Sequence, residues 1–167
     1  KTNFVIFGTQ AKIKYISKCK IFMENIEIVQ TNTAKFLGVL IDSNLSWKCH
    51  IDYITKKVAK SVGIIKKVRY CLPINTLNTL YNTLILPYLN YCNIIWANNK
   101  PTRLHSLLML QKRVVRVNTE SSYNSHALPL FARLKQLTVF DLNRVSIIAT
   151  FMYKYHKHCL PPIFSNY

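Results

Sequence analysis

The chain has 167 residues, half of them hydrophobic, which is enough for one packed domain or parts of two and too apolar for a disordered segment. Its 23 basic and 6 acidic residues give a formal net charge of +17, a self-repulsion normally tolerated when an anionic partner neutralises it. Nucleic acid leads as that partner, because no apolar run reaches the roughly 18 residues of a spanning helix and no signal-peptide pattern opens the chain, although basic amphipathic helices also dock on anionic lipid.

The first residue is Lys1 and the chain starts at once in an apolar strand pattern, so it reads as a piece of a longer polypeptide. Residues 1 to 29 form a meander with short strands expected at Asn3 to Phe7, Lys12 to Ile16, Lys20 to Met23 and Ile26 to Val29. Turns fall at Gly8-Thr9 and Glu24-Asn25. Alternation from Lys12 to Ile16 sets lysines on one face, with Ile13 and Tyr15 on the other. Phe36 to Ile41, apolar and too short for a helix, is expected to be a buried strand that completes a small antiparallel sheet. Asp42, Ser43 and Asn44 then supply turn chemistry through short polar side chains.

From Trp47 to Tyr70 the apolar positions Trp47, Ile51, Ile54, Val58, Val62 and Ile65 recur at helical intervals. On the opposite face Lys56, Lys60 and Lys67 fall in one line, with Gly63 beside them, where a partner backbone could come close. A solvated face is the plain alternative. Twelve basic residues against the single acid Asp52 between Trp47 and Val117 favour a binding face. Leu72-Pro73 breaks this helix. A second runs from about Asn75, with Leu77, Leu80, Tyr81, Leu84, Tyr88, Tyr91 and Ile95 on one stripe and a kink or short interruption at Pro87 that keeps the phase. At this spacing the tyrosines are expected in the core, not as base-stacking platforms.

A loop at 98 to 102 opens a third helix, with Leu104, Leu107, Leu108, Gln111, Val114 and Val115 inward and Lys112, Arg113 and Arg116 outward as a second basic cluster. Arginine offers phosphate a planar fork where lysine offers a point charge, so Arg113 and Arg116 suit fixed backbone contacts. Leu128 to Leu137 reads as a short helix. Thr138 and Asp141 mark the N-cap and N3 of a last helix running to about His158, with Leu137 and Leu142 placed to staple it. That helix is apolar nearly all round, so exposed apolar surface is expected.

The five cysteines are odd in number and widely spaced, which signals neither a disulfide framework nor a zinc site and fits a reducing compartment. His156, His158 and Cys159 lack a fourth ligand nearby and read as helix-end residues. No Gly-rich phosphate loop, Gly-x-Ser-x-Gly elbow or His-Glu-x-x-His is present.

Phe36-Leu37-Gly38-Val39-x-Ile41-Asp42, followed by Leu45-x-Trp47 and His50-Ile51, resembles the end of the palm and the start of the thumb in reverse transcriptases of non-LTR (LINE-type) retrotransposons. The likeness continues through Leu72-Pro73, Leu80-Tyr81, Leu84-Ile85, Pro87, Tyr91, Trp96 and Leu110-Gln111-Lys112-Arg113, and so covers most of the chain. It implies an α+β fold, with a C-terminal palm segment over residues 1–45, a helical thumb over 46–120 and post-thumb helices over 121–167. Phe36, Leu37 and Gly38 match the primer grip, and Lys1 stands where the family has a palm lysine. At Gly38 two readings stay open, close backbone approach and a merely tolerated strand glycine.

The thumb match makes an RNA/DNA template–primer duplex the expected partner, bound through phosphates by Lys56, Lys60, Lys67, Lys112, Arg113 and Arg116. Upstream palm and fingers of the same polypeptide are the other implied partner, and an intracellular, nuclear location follows. Polymerisation in the family uses magnesium held by aspartates upstream of the matched region. The acids here, Glu24, Glu27, Asp42, Asp52, Glu120 and Asp141, include no adjacent pair. This segment is therefore expected to be inactive alone and to hold no cofactor. A stand-alone basic helical module that binds nucleic acid without polymerase activity is the alternative, and a helical protein-interaction fragment is a third reading.

Overall fold

A computed structural model describes residues 2–9, 11–13 and 20–164. The fold is α+β, as expected, with short strands first and helices after them. Two compact units are formed, Lys1–Tyr53 and Ile54–Tyr167.

In the first unit, β1 (Asn3–Phe4), β2 (Ile21–Met23) and β3 (Ile26–Gln30) make a three-stranded sheet in the order β1-β3-β2. Strands β2 and β3 are antiparallel and joined at Glu24-Asn25, both with positive φ, as the turn chemistry predicts. Strand β1 runs parallel to β3, a pairing the expected meander did not contain. Residues 11–13 are helical, with the Ile13 amide donating to the Thr9 carbonyl, where a strand was expected. The rest of that expected strand, residues 14 to 16, and Lys1 lie outside the described residues.

The apolar run Phe36 to Ile41 is not one buried strand. It is a hairpin, β4 (Thr33–Phe36) against β5 (Val39–Asp42), with Phe36 opposite Val39. Leu37 and Gly38 form the two-residue turn at φ 44° and 84°, the positive pair that matches the twist of the flanking strands. Glycine meets this demand without strain, whereas Leu37 carries a side chain into the left-handed region. Apolar character alone could not show this, because a turn tip and a buried strand use the same residues here.

After β5 the chain turns on Asp42. Its buried carboxylate accepts from the amides of Ser46 (2.9 Å) and Trp47 (2.7 Å), just ahead of α1 (Lys48–Val68). Within α1 the positions Ile51, Ile54, Val58, Val62 and Ile65 are buried, the stripe read from the sequence. Trp47 has a left-handed backbone and precedes the helix.

In the second unit α2 (Ile74–Leu84) starts directly after Pro73, and Ser61 of α1 donates through its hydroxyl to the Leu84 carbonyl at 3.0 Å. The expected interruption near Pro87 is present, but the phase does not survive it. Ile85 at φ −117° and the left-handed Cys92 divide the segment into α2, α3 (Leu86–Asn90) and α4 (Asn93–Trp96). Each break rotates the next piece. Ile85, Leu89, Asn93 and Trp96 are therefore buried, while Tyr88, Tyr91 and Ile95 are exposed and only Tyr81 of the expected tyrosines is core.

Helix α5 (Pro101–Asn118) packs against α2, α6 (Ala127–Arg133) and α7 (Val139–His156). Its buried Gln111 is the polar knot of this core. The side-chain amide donates to the Tyr81 hydroxyl (2.8 Å) and the Leu137 carbonyl (3.2 Å), and Oε1 accepts from the Val139 amide (2.7 Å). One side chain thus fixes α2, α5 and the start of α7 while leaving its own buried polar atoms paired. Thr138 caps α7, its hydroxyl accepting from the Asp141 amide at 3.2 Å and lying 2.6 Å from the Asp141 carboxylate. This is the box-like start expected from the sequence.

Candidate nucleic-acid interface

Three surfaces carry the residues singled out by sequence. The first is the β4–β5 hairpin tip of the first unit, where Phe36 is 64% and Leu37 75% exposed. Both apolar side chains stand mostly in solvent at the tip of a tight turn, where a partner could cover them. Behind the tip, the Leu40 amide donates to His50 Nδ1 at 3.2 Å, which ties β5 to the start of α1. His50 is buried, and that burial pushes its pKa below the usual 6.5. An imidazole that accepts at Nδ1 is neutral, with its proton on Nε2, so burial and hydrogen bond favour the same state.

The second surface is the lysine line of α1. Lys56, Lys60 and Lys67 are all exposed, opposite the buried stripe. At 1.5 Å rise per residue they extend along about 16 Å of helix. A Cβ added at Gly63 would meet nothing within 4 Å, so no part of the described protein requires a glycine there. The position is open to an external surface.

The third surface carries Arg113 and Arg116 of the expected Lys112, Arg113 and Arg116 cluster. Arg113 and Arg116 line a cavity of about 210 Å³ together with Lys66, Arg69, Val117, Ser121 and Tyr123. Lys112 is not among its lining residues. Arg116 is anchored by its Nε, which donates to the Ser125 carbonyl at 3.0 Å, and its guanidinium lies 5.9 Å from the centre of the Tyr123 ring. Arg69 stacks on Tyr70 at 4.3 Å and donates to its hydroxyl. None of the described residues lining the cavity is acidic.

Sequence reasoning missed Lys66, Arg69 and Tyr123. Lys66 stands about 100° round the helix from Lys67, away from the exposed lysine line, and only the fold brings it to Arg113 and Arg116. Tyr123 sits in a polar loop with no periodicity to mark it. Among the described residues no group of three His, Cys, Asp or Glu side chains could hold a metal ion. Among the same residues no helix is long and apolar enough to cross a membrane.

No protein-family model matches the chain, and no solved structure does. Among curated proteins it is 30% identical over 145 residues, 84% of its length, to a probable RNA-directed DNA polymerase from transposon X-element of Drosophila melanogaster. The chain spans 15% of the length of that relative. This similarity supports a reverse-transcriptase relationship for the segment.

Proposed function

We propose that this chain is a segment of an RNA-directed DNA polymerase that grips the primer and the template–primer duplex, while the chemistry belongs to parts of the polymerase that carry paired aspartates and magnesium. The similarity to the X-element polymerase over most of the chain supports the class. One observation carries the gripping role. Three lysines stand in line on the exposed face of a 21-residue helix whose opposite face is buried. Such a face neutralises successive phosphates without reading bases, as a surface that must travel along any template requires. In this reading the Phe36-Leu37-Gly38 tip acts as the primer-grip turn, and palm and fingers of the same polypeptide are its partners.

The test is affinity for an RNA/DNA hybrid duplex across a salt series, with Lys56, Lys60 and Lys67 each changed to Ala. Each change is expected to shallow the slope of log affinity against log salt by about 0.9, without sequence preference. Unchanged slopes in all three variants would reduce the lysine line to a solvated face.

A further inference from the structure

The cavity formed by Lys66, Arg69, Arg113 and Arg116 differs in kind from an open lysine line. Its volume of about 210 Å³ has room for one phosphate group with part of its hydration. One of its cations is held by the backbone before any ligand arrives, Arg116 by the Ser125 carbonyl, and Arg69 stacks on the exposed Tyr70 ring beside it. The bond to Ser125 uses one of the five N–H donors of Arg116, which leaves others for an anion. Cations in the last turn of a helix are commonly explained by the helix dipole, and Lys66 and Arg116 do sit in such turns. That explanation covers each residue singly. It does not cover four cations from two separate stretches of chain lining one cavity with no acid among the described lining residues. Their mutual repulsion is relieved by a bound anion of high charge.

Beside the cations stands Tyr123, 81% exposed, its ring 5.9 Å from the Arg116 guanidinium and most of its surface open to solvent. A charged cavity with an aromatic ring at its edge matches a nucleotide, phosphate on the cations and base on the ring. We infer that Lys66, Arg69, Arg113 and Arg116 form a site for a single phosphate of an unpaired nucleic-acid strand, with Tyr123 stacking on the adjoining base. The inference rests on the nucleic-acid reading above but not on the lysine line. It adds a single-strand contact to a chain whose α1 face is read as a duplex track.

The experiment measures binding of the chain to a 12-nucleotide single-stranded oligodeoxythymidine by fluorescence anisotropy, with a 5′-phosphate, with a 5′-hydroxyl, and as an abasic version. Arg69→Gln and Arg113→Gln are each expected to weaken binding about tenfold and to shallow the salt slope by about 0.7. Tyr123→Ala is expected to weaken the thymidine oligomer by about tenfold and leave the abasic strand unaffected, while Tyr123→Phe keeps full affinity. A several-fold preference for the 5′-phosphate assigns a strand end, and equal affinities assign an internal phosphodiester. Unchanged affinity in both arginine variants overturns the site, and equal losses on thymidine and abasic strands in Tyr123→Ala overturn the stacking. Lys56→Ala on the hybrid duplex is read separately, so a failed duplex track and a failed single-strand site give different results.

Discussion

His50 and Asp42 make the first unit sensitive to acid in two separate windows. Burial holds the folded His50 pKa below 6.5, so as pH falls through 6.5 the unfolded chain takes up its proton first and the folded state loses stability. At Asp42 burial alone would raise the pKa, but the hydrogen bonds from Ser46 and Trp47 outweigh it and the net value lies below 3.8. Its contribution is complete above 3.8 and is lost as pH falls through the lower folded value. Urea midpoints of the native chain should therefore fall between pH 7.5 and 5.5, where Asp42 stays ionised. His50→Gln, which can still accept from the Leu40 amide, should flatten that fall, and an equal fall in the variant would place the titration elsewhere. Neither role was open to sequence reading in full. Asp42 was legible as a turn residue because short carboxylates bond to nearby amides, but the bond from Leu40 to His50 joins residues that no periodicity relates.

At the scale of elements, periodicity fails where the backbone leaves the regular path. Helix α1 was legible because one uninterrupted stripe fixes both its core face and its lysine face. The segment after Pro73 was not, because left-handed Cys92 and the turn at Ile85 reset the phase twice and turned Tyr88 and Tyr91 outward. The hairpin at Leu37-Gly38 gave a single signal, its glycine, inside a run whose apolar residues spoke for burial. Leu37 in the left-handed region costs about 1 kcal/mol against a residue at ease there. Leu37→Asn supplies the preferred Asn-Gly turn and should raise stability by about that amount in urea titrations. If the tip grips a primer, the same change should weaken binding to a recessed primer end more than to a blunt hybrid. An equal effect of the change on the two substrates would remove the tip from the interface and leave Leu37 as unexplained strain.

For the whole molecule the governing facts are a charge of +17 and an apolar last helix. Charge keeps such chains apart in dilute salt, and added salt screens it over a Debye length of about 8 Å at physiological strength. Helix α7 then becomes the liability. Only Val139 and Asn143 of its residues are buried, while Val145, Ile147, Ile148, Phe151, Met152, Tyr153 and Tyr155 are all exposed. The box-like start at Thr138, the buried Val139 and Asn143, and the bonds of Asn143 and Ser146 to Asn93 hold the helix at its first half, so its outer residues are not needed to form it. Ile148 and Met152, at 55% and 54% exposure, stand four residues apart on one side. Replacing them with Gln and Lys should leave unfolding free energy within about 0.5 kcal/mol of the native chain, as surface changes generally do. The same double variant should stay monomeric in light scattering at salt concentrations where the native chain associates. A stability loss well beyond that margin would mean that this side of α7 is packed inside the folded chain. An unchanged association would place the sticky surface elsewhere, with the exposed Phe36 and Leu37 of the hairpin next to be tested.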